Sequence, residues 1–466
     1  MSRLIVVSNR VTPPGGKGEE SVGGLAMALA AALREYSGVW FGWSGQTVPE
    51  FTGQIHMQEA DGVTVATVDL EEIDYEEYYN GFANKTLWPL CHYRIDLAAY
   101  DRAFGEGYRR VNCRFAETLR PLVEPKDLVW VHDYHLIPLA QELRRLGLKN
   151  RMGFFLHVPW PAHQLVATLP RHRELVQSMF DYDLIGFQTE EHLQAFEEYV
   201  LSEAGGERLP GGRLRAFGKT IRAGAFPIGI DCKEFVELTR TPRGRRTYDI
   251  MAAHTVFRTL IVGVDRLDYS KGLEERFLGF ERFLADNPAL RREVLMLQVA
   301  PVSRGGVEAY QEIRARLDAL SGRINGEYAD MDWNPIRYVN KNFRRDELAG
   351  LYRAARVGLV TPMRDGMNLV AKEFVAAQNP DDPGVLILSR FAGAAHQLKE
   401  ALIINPNSPE EISEALKRAL AMELPERIRR WRALFDNVSR EHVTAWRDSF
   451  VGALEGLQER RAALAS

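Results

Sequence analysis

Cysteine is scarce in this 466-residue chain: Cys91, Cys113 and Cys232 are its only three, and they stand far apart. They form neither a disulfide framework nor a metal-ligand spacing, which points to a reducing compartment and a cytoplasmic protein. Long apolar runs are also lacking. The longest, VGGLAMALAAAL, falls short of a membrane span, and the N-terminal MSRLIVVSNR is too brief for a secretory signal. Neither sign of charge is in large excess, since 59 Lys and Arg face 63 Asp and Glu for a formal net charge of -4. This balance argues against general nucleic-acid binding and leaves room for local basic pockets. Internal repeats and low-complexity tracts are absent. What is present, 45% hydrophobic and 26% charged residues, belongs to a globular protein, and the length is too great for one ordinary core.

Short apolar runs alternate with longer helical patterns. LIVVSN, DLVWVHD, MGFFLHV and YDLIGFQ read as strands, while GGLAMALAAALREY, HLIPLAQELRRLG and TEEHLQAFEEYVLS read as helices. The pattern loosens over Leu209 to Gly218 and breaks again at TRTPRGRRT, after which TLIVGVDRL, EVLMLQVAP, IRYVN, VGLVTP, GVLILS and ALIINP open a second series. The expected fold is therefore α/β, with parallel sheets covered on both faces. Its expected domains are 1–240 and 241–439. The charged helices after Pro425 are expected to cross back to the first half, with 440–466 packing there. Ligands in such folds bind at the carboxyl ends of strands and between domains.

The informative residues fall at those strand ends. Arg10 closes the first strand, and Gly23-Gly24 precede a helix, a weak phosphate-cradle signal because paired glycines often only make turns. His132, Asp133 and His135 lie at a strand-to-helix junction. Their spacing fits no standard metal site, so Asp133 reads better as an acceptor for sugar hydroxyls. His157 ends another strand, as a ligand or as a structural histidine. Arg266, Lys271 and Arg304 follow strands of the second half, a placement that suits phosphates, and with Arg10 they suffice for a diphosphate and a monophosphate. Tyr78, Tyr79 and Trp88 sit in YYNGFANKTLWPL, either as core or as faces for sugar rings. Finally, TPMRDGMNLVAKEFVAAQ follows a strand with a turn and a helix, whose N-terminus suits an anion. Within it, Lys372 and Glu373 either lie on a wet face, or Glu373 accepts from a ribose about one turn below that anion.

Taken in order, SNR, GGLA, WFGWSG, EYYNGFANKTLWPLCHYR, WVHDYHL, FLHVPWP, GVDRLDYSKG, VAPVSRG and RDGMNLVAKE run nearly the whole length of the chain. With these motifs the sequence resembles the trehalose-6-phosphate synthase family, glycosyltransferase family 20, retaining enzymes of GT-B architecture in which two Rossmann-like domains face a cleft. The resemblance implies that Arg10, Tyr79, Trp88, Asp133 and Arg304 hold the acceptor, glucose 6-phosphate, with both arginines at its phosphate. It implies that Gly24 approaches the donor, UDP-glucose, and that Arg266 and Lys271 clamp the diphosphate. His157 and Asp365 would contact the transferred glucose, and Leu369, Val370 and the helix they begin would present amides to the diphosphate. Glu373 would hold the ribose, and Phe343 would lie near the uracil.

The implied reaction makes α,α-trehalose 6-phosphate and UDP by a front-face route with no protein nucleophile, in contrast to retaining glycosidases and their paired carboxylates. The catalytic set would be Arg266, Lys271, His157 and Asp365. No cofactor is required by these residues, and Mg²⁺ would act only as a counter-ion. The visible motifs address diphosphate and ribose, so UDP, GDP and ADP sugars remain open as donors. A DxDGT-like phosphatase motif is missing, so a separate trehalose-phosphate phosphatase is expected to act on the product. A homodimer or tetramer is expected, with no nucleic-acid or membrane partner. The competing readings are a relative using another phosphorylated acceptor, such as a glucosylglycerol-phosphate synthase, a glycosidase working through Asp133 and Asp365, and a non-catalytic sugar-phosphate sensor.

Overall fold

The computed structural model describes residues 3–11, 33, 38–60, 62–302 and 307–465. The expected helix GGLAMALAAALREY, Gly24 within it, and Arg304 lie outside these residues, except Leu33. The chain divides into two compact units, one running to Pro227 and resuming at Thr444, the other Ile228–Val443. Among the described residues no helix is long and apolar enough to cross a membrane.

The strands of the first unit are β1 (Leu4–Arg10), β2 (Val39–Val48), β3 (His56–Ala60), β4 (Val63–Glu71), β5 (Leu128–His132), β6 (Arg151–Phe155), β7 (Leu184–Phe187), β8 (Glu207–Leu209), β9 (Arg213–Ala216) and β10 (Lys219–Ala225). They form one sheet in the order β3-β4-β2-β1-β5-β6-β7-β10-β9-β8. From β4 to β10 every neighbouring pair is parallel; the edges, β3 at one side and β8 and β9 at the other, are antiparallel. Every residue of β5 and β7 is buried, as a central parallel strand requires. The order reverses between β1 and β5. At such a switch point the loops leave in opposite directions and open a crevice. Arg10 and Asp133 stand at the two strand ends beside it.

The second unit repeats the logic with β11 (Thr259–Val264), β12 (Val294–Val299), β13 (Ile336–Val339), β14 (Val357–Val360), β15 (Val385–Ser389) and β16 (Leu402–Ile404), in the order β13-β12-β11-β14-β15-β16. All its pairs are parallel. Its switch point falls between β11 and β14, so the loop carrying Arg266 and Lys271 neighbours the loop carrying Asp365.

Several local expectations need correction. The loose stretch 209–218 contains β9 and closes the antiparallel edge, where alternating exposed and buried residues (Arg213 to Ala216) pair β9 with β10. The break at TRTPRGRRT is a helix start: the Thr241 hydroxyl accepts the Gly244 N–H at 3.0 Å and Pro242 takes the first position of helix Pro242–His254. The division falls at Pro227/Ile228 rather than near 240, because helix Cys232–Leu238 packs on second-unit helices Arg345–Ala354 and Leu369–Ala377. Helix Leu424–Arg440 does not cross back. It stays on the second unit, where the Trp431 indole donates to the Val375 carbonyl at 3.0 Å and Arg427 reaches Asp382. The last helix, Val443–Ala465, does belong to the first unit from Thr444 onward. Its Phe450 ring stacks on Trp130 with centroids 4.8 Å apart and lies over Gly153 and Gly186, where an added Cβ would come within 2.7 Å of the ring.

Candidate active site

At the first switch point the aromatics form a continuous wall. The Arg10 guanidinium lies 5.8 Å from the Trp43 ring centre, Trp43 is 5.6 Å from Tyr79, and Tyr79 stacks on His135 at 5.9 Å and 12°. His135 packs on Tyr134 at 4.0 Å, and Tyr134 on Trp88 at 5.7 Å. Tyr79 also stacks on Tyr75 at 5.5 Å and 21° and remains half-buried, whereas Trp88 is only 5% exposed. Tyr78 is core: wholly buried, it donates to Asn9 Oδ1 at 2.7 Å. Tyr78 and Tyr79 stand in the π-helical stretch Tyr75–Leu87, a form often found at functional positions. Arg10 is exposed, and among the described residues no carboxylate pairs with it.

Asp133 occupies a backbone region that glycine alone adopts readily, φ 73° and ψ 167°. Its N–H donates to the Phe155 carbonyl at 2.8 Å and its Oδ1 accepts the His157 N–H at 3.2 Å, so the ends of β5 and β6 hold it there. Such a conformation costs on the order of 1–3 kcal/mol and persists where the surroundings over-determine it. His157 is anchored on both sides: Nε2 lies 3.0 Å from His132 Nδ1, and Nδ1 lies 3.4 Å from the Gln188 amide nitrogen. Burial pushes the His157 imidazolium down to about 3 and that of His132 well below its usual value, so both rings are neutral at pH 7. Among the described residues no three His, Cys, Asp or Glu side chains converge as metal ligands.

The second unit supplies charge. Between β11 and helix Leu273–Asp286 the chain turns at Gly272, φ 60°, where a Cβ would lie 2.0 Å from the Thr361 carbonyl oxygen. Only glycine permits that approach. It brings the loops after β11 and β14 together, where the Thr361 hydroxyl donates to the Gly272 carbonyl at 2.9 Å and Met363 N–H to the Ser270 carbonyl at 2.8 Å. Behind them Arg276 is fully buried, donating to Asp265, Gln298 and Thr361 at 2.7 to 2.9 Å. In front, Lys271 forms an ion pair with Asp365, whose carboxylate also accepts from Asn368 Nδ2 at 3.1 Å. Lys271 is therefore not a free cation awaiting phosphate. Its charge is already shared with the carboxylate expected at the sugar. Arg266 is exposed beside the pair in sequence, after the buried Asp265.

Helix Leu369–Ala377 begins at the end of this loop. Asn368 caps it from φ 73°, accepting the Ala371 N–H at 3.3 Å. The N–H groups of Leu369 and Val370, partly exposed, have no acceptor among the described residues, as the first turn of a helix dictates. One turn on, the half-buried Glu373 carboxylate receives no hydrogen bond from the described residues, and desolvation pushes its pKa up to about 7 against the opposing pull of Arg345. Lys372 is not on a wet face: it is 0% exposed and donates to the Ile228 carbonyl at 2.6 Å. Phe343 is half-buried in the loop after β13.

Sequence reasoning gave no role to Trp43, the Gln188 anchor of His157, the buried Arg276 or Asn368, and it weighed His132 and His135 only as metal ligands. Only Asn368 carried a readable signal, a capping residue immediately before an apolar run.

A model of glycosyltransferase family 20 matches residues 3–456. The chain belongs to glycosyltransferase family 20. A trehalose-6-phosphate synthase of Sinorhizobium fredii is 48% identical over 462 residues, 99% of this chain and all of the relative. Among solved structures, an alpha,alpha-trehalose-phosphate synthase (UDP-forming) of Burkholderia xenovorans in complex with glucose-6-phosphate superposes with a TM-score of 0.93 at 51% identity, covering 97% of this chain and 100% of that one. An E. coli protein bound with UDP-2-fluoro glucose gives 0.93 at 44% identity, covering 97% and 99%. This family-20 chain is thus a hexosyltransferase of GT-B fold. The two switch points differ in chemistry: aromatic faces and one cation stand at the first, an ion pair and two helix N–H groups without an acceptor among the described residues at the second.

Proposed function

We propose that the protein transfers glucose from UDP-glucose to the anomeric oxygen of glucose 6-phosphate, giving α,α-trehalose 6-phosphate and UDP with retention. The observation that carries this reading is the helix Leu369–Ala377, whose two free N–H groups and unpartnered Glu373 carboxylate are spaced for a diphosphate and its ribose. The similarity to proteins solved with glucose-6-phosphate and with UDP-2-fluoro glucose supports both ligands. In this reading Arg266, Lys271 and the Leu369 and Val370 amides hold the diphosphate, Phe343 lies by the uracil, and Gly24 approaches the donor. Arg10 and Arg304 face the acceptor phosphate, with Tyr79, Trp88 and Asp133 against its sugar.

In the proposed step the bond between donor C1 and its phosphate oxygen breaks as C1 bonds to the acceptor oxygen. The acceptor's proton passes to the leaving phosphate oxygen on the same face. Negative charge grows on the diphosphate, where Lys271, Arg266 and the helix amides stabilise it. When the diphosphate attracts Lys271, Asp365 is released to the glucose hydroxyls. His157, neutral at working pH, is no general acid; it orients glucose by exchanging the long Gln188 contact for a hydroxyl. A protein nucleophile is not invoked, since the acceptor oxygen bonds to C1 on the face from which the phosphate leaves. The product stays phosphorylated and requires a phosphatase elsewhere.

The test is UDP release from UDP-glucose with and without glucose 6-phosphate, together with identification of the sugar product. Release only with acceptor, yielding a non-reducing disaccharide phosphate, is the expected result. Release of free glucose without acceptor, or silence with every nucleotide sugar, would overturn the reading.

A further inference from the structure

The mechanism gives Lys372 no task, yet among the described residues no carboxylate pairs with its buried amine, and burial opposes an unpaired charge. Its one hydrogen bond among the described residues goes to the Ile228 carbonyl at 2.6 Å. Ile228 opens the second unit, and Val443 closes it. These two ends run side by side: Val443 N–H donates to the Ile230 carbonyl at 3.2 Å, and a Cβ on Gly229 would lie 2.0 Å from the Glu441 carbonyl oxygen. Backbone touches backbone there, with no side chain to soften the contact. Glu441 is also the charged group whose field favours the ammonium, while burial brings the Lys372 pKa down to about 7.

Lys372 therefore joins two things that are far apart in sequence. Its own helix, Leu369–Ala377, carries the Leu369 and Val370 amides at its tip and Glu373 as the next residue. Its amine reaches the paired segments 228–230 and 441–443, through which the chain leaves and re-enters the second unit. A rigid nine-residue helix moves as a body, so a ligand pulling on its N-terminus pulls on Lys372. We propose that Lys372 is a positioning residue that couples occupation of the donor site to the paired segments joining the two units. This rests on the donor reading given above.

The test is hydrogen exchange of the full chain over peptides spanning 228–232 and 440–444, with and without saturating UDP, in wild type, Lys372→Met and Lys372→Gln. Met keeps the length and removes the donor; Gln keeps one donor. The expected result is that UDP slows exchange of both segments in wild type, that Lys372→Met binds UDP yet loses this response, and that Lys372→Gln keeps part of it. Turnover of Lys372→Met should fall about tenfold with the KM for UDP-glucose little changed, since misplacement rather than lost contact is the defect. Wild type that binds UDP without protection of these segments overturns the coupling alone. Full protection in Lys372→Met also overturns it. Wild type that fails to bind UDP overturns the donor reading, and the coupling with it. Should Lys372→Met not fold, the wild-type and Lys372→Gln measurements decide the matter.

Discussion

The two switch points share a topology and differ in physics. In the first unit Asp133 and the stacked rings are held by packing and short hydrogen bonds, with neutral histidines behind them. In the second, Lys271 and Asp365 neutralise one another, Glu373 receives no hydrogen bond from the described residues, and a buried Arg276 supports the loops. Stacked rings change little between empty and loaded states, because they carry no charge to redistribute. A site built from an ion pair and a desolvated carboxylate is poised to rearrange, because an incoming diphosphate competes for the lysine and an incoming ribose lowers the carboxylate's pKa. In the proposed reading, specificity for the sugar rests on shape and the response to the nucleotide on electrostatics.

The sharpest way to break this contrast is Lys271→Ala. It removes the cation and leaves Asp365 facing the diphosphate, and turnover should fall about 10²–10³-fold with glucose 6-phosphate affinity nearly unchanged. Equal losses for both ligands, measured by steady-state kinetics and by binding, would mean that the two regions are not separable. Asp133→Gly comes next. It should cost about 10²-fold in kcat/KM for glucose 6-phosphate while leaving Tm equal or higher, since glycine relieves on the order of 1 kcal/mol of backbone strain. A clear fall in Tm by thermal denaturation would show that the strained conformation is not where the energy is stored.

Tyr79→Ala probes the wall itself. About a tenfold rise in the KM for glucose 6-phosphate is expected, with the KM for UDP-glucose unmoved, while Tyr79→Phe keeps the stacking face and stays near wild type. Glu373→Gln has the smallest effect and the most distinctive signature. In the free enzyme the carboxylate titrates at about 7, and ribose hydroxyls donate to its ionised form. Donor affinity in the wild type therefore weakens as pH falls through about 7 and levels off above it. Glu373→Gln should flatten that profile and raise the KM for UDP-glucose by about tenfold at pH 8. The folded pKa is raised above the unfolded value, so the native state holds the proton more tightly and loses stability as pH rises from about 4.5 to 7. Glu373→Gln should accordingly raise stability at pH 8 by about 1–3 kcal/mol, read from denaturant unfolding at pH 5 and 8.

Much of the site was legible because the signals are local. A buried parallel strand is an apolar run, the residue after it stands at the ligand end, and so Arg10, Asp133, His157, Arg266 and Asp365 could be placed without coordinates. The same holds for the helix that starts at Leu369. The edge strands β8 and β9 were hidden because a short antiparallel edge rich in Gly and Arg lacks the apolar run that marks a central strand. Which half helix Leu424–Arg440 packs on was not legible, because amphipathicity says that a face is buried, never against what.

By itself, then, the order of residues determined the alternation of elements, the two series of strand ends and the chemical types gathered there, since each depends on neighbours a few positions apart. Tertiary structure alone decided which charges are spent and which are held ready. Lys271 meets Asp365 across 94 positions, Lys372 meets Ile228 across 144, and Trp446 comes within 6.1 Å of His157 from the far end of the chain. Ionisation in a protein depends on desolvation and on partners in space, and neither has any period in the sequence.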